Sequence, residues 1–330
     1  KTDINNYRPI ALLPIIDKIF ERIILNRLES FLKAKKVNDD EQFGFKRRIG
    51  TCEAIMNFTH NVMRHLDAGD CVVSVFMDLS SAFDLLNRDV LLKKLSFLGI
   101  NGHALELIKS YFHQRTQSVK VGDEISEKSV NNCGFPQGSI LGPFFFNLCL
   151  IDSPPITSKR IKYADDNVIY KNCKRNEINE TLSKVAEDMR ILAVHFQECG
   201  LKLNYDKTNF MILSNVHPET IPSEIAINEN DVISRTNSQK FLGVMIDEKL
   251  RLDDQVSCLI NKLTQSSRVL TIIRHHLPQD LLLQYFHAHV MSHISYCSFL
   301  YAKISRENLM RIQRIQNRCV KMVFGLNRLH

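Results

Sequence analysis

The sequence of 330 residues lacks the patterns that identify several common protein classes. No apolar run approaches the roughly 20 residues that an α-helix needs to span a bilayer, so we expect no membrane segment. None of the nine cysteines stands at Cys-x-x-Cys spacing, which argues against a zinc ribbon or a redox motif and favours a reducing compartment. We find no internal repeat and no low-complexity tract. Because the first residue is Lys and no signal-peptide pattern follows, we expect the chain to be part of a longer protein.

The overall composition is that of a globular protein with a moderate excess of basic residues. The apolar fraction of 44% argues against a disordered or fibrous chain. A chain of this length is too long for one small core, which predicts two or three subdomains. The 43 Lys and Arg residues outnumber the 36 Asp and Glu residues. This excess suits a nucleic-acid partner, although many unrelated proteins share it.

Two short stretches each place carboxylates at the end of a predicted strand. Residues 72–78 end at Asp78, and residues 160–166 end in Tyr-Ala-Asp-Asp, with Asp165 and Asp166 at a hairpin tip. Three carboxylates at one sheet end could not all stay ionised and unpaired, and hard cations such as Mg²⁺ take oxygen ligands. Many enzymes that catalyse phosphoryl transfer use two metal ions about 3.5–4 Å apart. The pair of stretches predicts a nucleotidyltransferase palm, whereas either one alone would be interpreted as an Asp-rich turn.

The spacing of apolar residues and the positions of Gly and Pro predict the remaining helices and strands. Helices are predicted over 15–32, from Asn87 to about Gly99, from the 134–143 run to about Leu150, over 177–199, and from Gln255 onward. Strands are predicted at 71–77, 117–121, 167–170, 210–213 and 241–246. The strand at 71–77 shows no alternation, so we expect it to be buried on both faces. Residues 216–237 are polar and are predicted to form turns.

Some polar segments are compatible with two interpretations. The loop 42–51 has glycines and consecutive cations at 46–48, which could hold a polyphosphate or form an ordinary solvated loop. The run 134–143 has glycines that allow close backbone approach, and Gln137 offers a donor and an acceptor, although Gly and Pro often precede helices. The histidines at 287, 289 and 293 lack acidic or Cys partners, so we expect surface residues and not a metal site.

The last predicted helix has a row of cations beside an apolar stripe. One helix face could contact phosphates or could simply be solvated. The cations are Arg311, Arg314, Arg318 and Lys321.

Taken in order, these motifs resemble the reverse transcriptase domain of non-LTR retrotransposons of the LINE or jockey kind. The resemblance covers nearly the whole chain, and although each motif is weak alone, their order and spacing make chance negligible. The motifs are Asn-Tyr-Arg-Pro-Ile at 6–10, Gln-Phe-Gly-Phe at 42–45, Asp-Leu-Ser-x-Ala-Phe-Asp at 78–84, Pro-Gln-Gly-Ser at 136–139, Tyr-Ala-Asp-Asp at 163–166, Gly-Leu-Lys-Leu-Asn at 200–204 with Lys207-Thr208, Phe-Leu-Gly at 241–243 and Ser-His-x-x-Tyr-Cys at 292–297.

The resemblance implies a mixed α/β (α+β) fold, the right-hand polymerase with fingers, an antiparallel-sheet palm and a helical thumb. Residues 1–70 would belong to the fingers, whose N-terminal part would be missing. Residues 71–248 would form the palm with part of the fingers. Residues 249–330 would form a helical thumb and a C-terminal extension.

The resemblance also implies roles for individual residues. Asp78, Asp165 and Asp166 would surround two Mg²⁺ ions, with Mn²⁺ as an alternative, and Asp166 is often the less direct ligand in such palms. The substrate-binding residues would be Phe83, which crowds a ribose 2′-OH, Gln137 and Gly138 at the incoming nucleotide, Lys46 and Arg47 near its triphosphate, and Lys207 as a proton donor to pyrophosphate. Departures from the family pattern at Lys46, Ser81 and Asn167 leave the triphosphate assignment open.

The function implied by the resemblance is that of an RNA-directed DNA polymerase copying element RNA into DNA. Its partners would be an RNA template, a DNA primer or target and dNTPs, with no membrane. An endonuclease would lie on the missing part of the parent polyprotein. As a ribonucleoprotein the protein would be intracellular, in nucleus and cytoplasm, and not secreted. The alternatives are a catalytically silent RNA-binding remnant, which the intact aspartates argue against, and an RNA-dependent RNA polymerase, which Phe83 disfavours.

Overall fold

The structure, a computed structural model, describes residues 10–80, 85–215 and 221–326, and it has a mixed helix and sheet architecture. The helices are α1 (Ile15–Ala34), α2 (Thr51–Asp67), α3 (Arg88–Phe97), α4 (His103–Phe112), α5 (Gly142–Cys149), α6 (Ile178–Glu198), α7 (Asp253–Ile273), α8 (Gln279–Phe286), α9 (Ser292–Ser295) and α10 (Arg306–Phe324). The strands are β1 (Cys71–Met77), β2 (Leu79–Ser80), β3 (Thr116–Gln117), β4 (Lys120–Val121), β5 (Glu124–Ile125), β6 (Ser129–Val130), β7 (Lys159–Tyr163), β8 (Asp166–Cys173), β9 (Lys202–Leu203), β10 (Asn209–Leu213), β11 (Glu224–Ala226), β12 (Val232–Arg235), β13 (Ser238–Phe241) and β14 (Val244–Asp247).

A six-stranded sheet in the order β11-β12-β10-β1-β8-β7 forms the centre of the molecule. Its strand β1 pairs antiparallel with both β8 and β10. Every residue of β1 is buried, as its unbroken apolar run predicts. Val73 and Val75 pack into the core on the side of α1 and α6, whereas Phe76 packs into the core on the side of α2. The predicted strand at 71–77 is therefore confirmed, with both faces covered.

Aromatic packing fixes α2 against the sheet. The Phe58 ring lies 5.8 Å from Phe76, 5.4 Å from Tyr170 and 5.8 Å from Phe241, in edge-to-face geometry. These contacts join α2 to β1, β8 and β13, so α2 packs firmly against the central strands β1 and β8.

Local signals account for the helix boundaries. Pro14 precedes α1, and the Asn87 side chain caps α3 by accepting hydrogen bonds from the amides of Asp89 and Val90 at 2.9 and 3.3 Å. Helix α6 ends just before Gly200, whose φ of +82° suits glycine. The predicted helices at 15–32, 87–99 and 177–199 are confirmed to within a few residues.

Three strand predictions need correction. The region 216–237 is predicted to form turns, but it contains β11 and β12, and β12 is a strand of only four residues that pairs with β10 and β11. The expected strand 241–246 is instead a hairpin of β13 and β14, with Leu242 and Gly243 at φ +47° and +85° in its two-residue loop. The expected strand 117–121 is split between β3 and β4, although its Gly122-Asp123 turn is confirmed.

The C-terminal helices form a separate packed unit. Leu263, Leu270, Phe286 and Cys319 belong to a core shared by α7, α8 and α10. Within the described ranges, no helix is long and apolar enough to cross a membrane. The Tyr296 hydroxyl joins this unit to the sheet, since it lies 2.5 Å from the carbonyl oxygen of Leu242 and is also hydrogen-bonded to Thr51 on α2.

Candidate active site

The backbone of Asp78 is clamped from both sides at the end of β1. Its amide donates a hydrogen bond to the Thr208 hydroxyl at 3.2 Å, and its carbonyl oxygen accepts one from the Asn204 amide at 2.9 Å. The Thr208 hydroxyl in turn donates to the Asn204 carbonyl oxygen at 2.7 Å. Pairing of Leu79 with Leu203 continues the contact. The motif at 200–208 therefore fixes the position from which the Asp78 carboxylate projects.

The other two aspartates lie at the tip of the hairpin between β7 and β8, as predicted. Tyr163 pairs with Asp166, so Ala164 and Asp165 form a two-residue loop. Ala164 has a φ of +56°, and a positive φ at the first central position suits the twist of a tight hairpin. Asp165 is half-buried and Asp166 is exposed.

Asp78 and Asp166 meet in one cleft of about 140 Å³, and Lys207 lines the same cleft. They come together because β1 and β8 are antiparallel neighbours with Met77 opposite Asn167, so that each aspartate stands next to this pair. Asp165 occupies the adjoining loop and is not among the residues lining the cleft. Across the described parts of the chain, no group of three or more His, Cys, Asp or Glu side chains could hold a metal ion.

The donor set in this cleft nevertheless fits a hard divalent cation. Mg²⁺ is commonly bound through one or two carboxylates together with water and substrate phosphates, and not by a cage made of protein alone. Asp78 and Asp166 supply two carboxylates, and the exposed Lys207 ammonium adds a positive charge for a phosphate group. The cleft thus has the chemistry to bind a metal–nucleotide complex.

The predicted triphosphate residues lie in a different cleft. Lys46 and Arg47 line a larger cleft of about 730 Å³ together with Lys33 and Phe144. The Lys46 ammonium is hydrogen-bonded to the Asn38 side chain at 3.2 Å and to a main-chain carbonyl. Phe83, the predicted sugar-sensing residue, lies outside the described residues.

Gln137 and Gly138 lie on a loop that backbone contacts hold in place. The Gln137 carbonyl oxygen accepts a hydrogen bond from the Ala11 amide at 2.8 Å. Gly138 has a φ of +110°, which favours glycine. Arg88, which is buried, donates to the Gly134 carbonyl oxygen at 2.9 Å and so anchors the start of the loop.

The sequence analysis did not identify the buried cations that support the hairpin. Lys162 on β7 is 1% exposed, and its ammonium lies 2.5 Å from the Asp39 carboxylate. Arg160 is similarly paired with Glu41, at 2.7 Å from Nε. Burial, followed by the charge of Arg160, lowers the pKa of Lys162 below its usual range. The available signal is the cation–apolar–cation order of Arg160, Ile161 and Lys162 in a predicted strand, because cations that become buried require acidic partners.

A basic groove lies between α7 and the last helix. Its volume is about 560 Å³, and its cations are Arg274, Arg314, Arg318 and Lys321. Arg311 does not line the groove and instead donates a hydrogen bond to Asn308 at 2.9 Å. Three of the four predicted cations thus converge, and Arg274 joins them from a helix that the sequence analysis did not connect with this surface.

Comparison with known proteins gives matches over most of the chain. The profile of the family described as reverse transcriptase (RNA-dependent DNA polymerase) matches residues 1–246. The chain is 26% identical over 337 residues to the RNA-directed DNA polymerase from mobile element jockey of Drosophila funebris, covering 98% of this chain and 36% of that protein. It is 28% identical over 265 residues to the corresponding jockey protein of Drosophila melanogaster, covering 78% of this chain and 28% of that protein.

Solved structures with a related arrangement were also found. Telomerase from Candida tropicalis in complex with a fragment of telomeric RNA matches with a TM-score of 0.48 and 12% identity, covering 94% of this chain and 51% of that chain. The same enzyme without RNA matches with a TM-score of 0.48 and 12% identity over 92% of this chain and 55% of that chain.

Proposed function

The chain belongs to the reverse transcriptase (RNA-dependent DNA polymerase) family, and from this premise we propose that it is the RNA-directed DNA polymerase core of a non-LTR retrotransposon protein. The right-hand polymerase fold expected from the sequence accords with this membership. The observation that carries the proposal is the meeting of Asp78 and Asp166 in one cleft with Lys207, at the ends of neighbouring strands. Because the chain spans 36% of the jockey protein of Drosophila funebris, the activity of the whole parent protein is part of the proposal.

Reverse transcriptases use divalent metal ions, and we assign their binding here to Asp78, Asp165 and Asp166, with two Mg²⁺ or Mn²⁺ ions. When bound, such ions supply the positive charge that activates a primer 3′-hydroxyl and neutralises a triphosphate. The chain's own contribution is placement: Thr208 and Asn204 hold the backbone of Asp78. Lys207 is exposed and lines the cleft, and we assign it the role of giving a proton to the departing pyrophosphate.

The remaining substrate contacts are proposed from family membership. Phe83 would exclude ribonucleotides, and Gln137 and Gly138 would contact the incoming nucleotide. Lys46 and Arg47, which line a different cleft, would approach its triphosphate. We also propose the subdomain boundaries that the resemblance implies: fingers over 1–70, palm with part of the fingers over 71–248, and helical thumb with C-terminal extension over 249–330.

For nucleic-acid binding we propose the basic groove of Arg274, Arg314, Arg318 and Lys321. Cations gathered in one groove can contact several backbone phosphates, and such contacts release counterions. Replacing Arg314 and Arg318 by Gln should weaken primer–template binding and reduce the slope of log affinity against log salt by up to about two. An unchanged slope would show that the groove faces solvent only.

The deciding experiment is primer extension on an RNA template with dNTPs. Asp78→Ala and Asp165→Ala should abolish extension and leave primer–template affinity largely intact, because affinity comes mainly from phosphate contacts elsewhere. Asp123→Ala, at the exposed β4–β5 turn, is the matched control and should extend normally. Near wild-type turnover by Asp165→Ala would contradict the site assignment. Salt-dependent RNA binding without any extension by the wild type would instead identify a silent remnant.

A further inference from the structure

The turn that carries Asp165 has a backbone conformation that its own sequence does not favour. Ala164 has a φ of +56°, in the left-handed region where a Cβ atom is crowded. A non-glycine residue keeps such a conformation only where the surrounding structure over-determines it. The residues that contact the turn therefore bear on where its carboxylates lie.

One side chain reaches the turn directly. The Oε1 atom of Gln42 accepts hydrogen bonds from the Ala164 amide at 3.2 Å and from the Gly44 amide at 2.7 Å. Gln42 is 2% exposed, and its Nε2 atom is buried with no hydrogen-bond partner among the residues that the structure describes. An unpaired buried donor is unfavourable, so the contribution of glutamine here lies in its oxygen atom.

The segment that carries Gln42 is itself fixed to β7. The Lys162 amide donates to the Glu41 carbonyl oxygen at 2.8 Å, and the Phe43 amide donates to the Lys162 carbonyl oxygen at 2.7 Å. On the opposite side, the Asn147 side chain donates to the Gly44 carbonyl oxygen at 3.0 Å. With both sides held, the amide oxygen of Gln42 has little freedom to move.

The backbone of this segment also packs against the turn without space between them. A Cβ atom added to Gly44 would lie 2.4 Å from the Ala164 nitrogen and 3.0 Å from the Tyr163 carbonyl carbon. Since the φ of Gly44 is not in the left-handed region, glycine is required here by space and not by backbone conformation.

We propose that Gln42 is a positioning residue that holds the Ala164–Asp165 turn, and with it the carboxylates of Asp165 and Asp166, in the geometry used for nucleotide transfer. This proposal rests on the proposed polymerase function. Gln42 acts through the main chain of the turn and does not contact the reacting atoms. A displacement of about 1 Å at reacting groups can cost on the order of a hundredfold in rate, so a small shift of the turn is sufficient to lower turnover.

Two variants distinguish the contribution of the Gln42 acceptor oxygen from that of the rest of its side chain. Gln42→Met keeps the length and removes the acceptor, whereas Gln42→Glu keeps acceptor oxygens. The control is Asp188→Asn: Asp188 is 1% exposed and accepts hydrogen bonds from the amides of Thr157 and Ser158, close to the other end of β7. Asp188→Asn is expected to lower the free energy of unfolding without affecting the Ala164–Asp165 turn.

Two measurements are made on each variant. The first is amide hydrogen exchange of the peptide spanning 160–168, where Gln42→Met should exchange about tenfold faster at the turn and Gln42→Glu should stay protected. The second is primer extension at saturating substrates, where Gln42→Met should lower kcat by about tenfold to a hundredfold with the KM for dNTP and the primer–template affinity unchanged.

Unchanged exchange in Gln42→Met would overturn the proposal, as would equal acceleration in Asp188→Asn. Faster exchange with an unchanged kcat would also overturn it, because the turn would then move without consequence for the reaction. If the wild type extends no primer, the proposed polymerase function fails. The exchange data would still decide whether Gln42 holds the turn.

Discussion

Replacement of Thr208 by valine removes one hydroxyl group from the support of Asp78 and keeps the shape of the side chain. Thr208 is 1% exposed and Asp78 is half-buried, and the substitution removes the hydroxyl that accepts a hydrogen bond from the Asp78 amide. The Thr208 amide still donates to the Asn204 carbonyl oxygen at 3.0 Å. Loss of one such hydrogen bond costs about 0.5–1.5 kcal/mol, which is the expected loss in the free energy of unfolding.

The effect on the reaction depends on the backbone hydrogen bond to Asp78 that remains in Thr208→Val. The Asn204 amide still binds the Asp78 carbonyl oxygen at 2.9 Å, so the carboxylate shifts only partly. We expect kcat to fall by about tenfold to a hundredfold, since a full 1 Å displacement costs about a hundredfold. The assay is single-turnover extension on an RNA template, with primer–template affinity measured separately and expected to stay within about twofold.

The controls are a second threonine and a conservative change. Thr59 is also 1% exposed, but its hydroxyl donates to the carbonyl oxygens of Ile55 and Met56 within α2, so Thr59→Val should keep full turnover. Thr208→Ser retains the hydroxyl and should recover most of the rate. The reasoning would be refuted if Thr208→Val and Thr59→Val had the same kcat, or if Thr208→Ser were as slow as Thr208→Val.

Three further predictions concern stability and substrate choice. Asp39→Ala should lower the free energy of unfolding in urea by up to about 3–5 kcal/mol, because the buried Lys162 cation loses its nearest carboxylate and keeps Glu41 at 3.9 Å. Adding Lys162→Met should recover most of that loss, and no recovery would mean that the pair is not coupled. Burial lowers the pKa of His195 from 6.5 to about 4. The contribution of neutral His195 to the free energy of unfolding should therefore be complete above pH 6.5 and should decline as the pH falls toward 4. His195→Gln should flatten this dependence of Tm on pH. Phe83→Ala should raise the rNTP/dNTP ratio of kcat/KM. The control Phe58→Leu, in the core, should lower Tm and leave that ratio unchanged. An unaffected ratio in Phe83→Ala would mean that other residues discriminate between the sugars.

The local elements around the candidate site followed from the sequence because their signals are short-range. The unbroken apolar run of β1 predicted a strand buried on both faces, and it is. The Tyr-Ala-Asp-Asp stretch predicted a hairpin tip, and the structure has that tip with the register Tyr163 to Asp166. Asn87 predicted the start of α3 through its capping side chain. In each case the determining interaction lies within a few residues, so periodicity and capping rules suffice.

Elements stabilised by distant partners did not follow from the sequence. The hairpin of β13 and β14 was predicted as one strand, since an apolar run gives no sign of a reversal at Leu242 and Gly243. Strand β12 has only four residues within a largely polar region, and its pairing with β10 and β11 stabilises it.

The support of the candidate site residues was likewise decided by tertiary structure. Lys162 and Asp39 are separated by 123 positions, and Asp78 and Thr208 by 130. The sequence by itself determined which carboxylates are present and that they lie beside a strand end or at a hairpin tip. Only the packed fold determined which of them share a cleft and what holds them there, because hydrogen bonds and buried ion pairs depend on positions in space that no local pattern encodes.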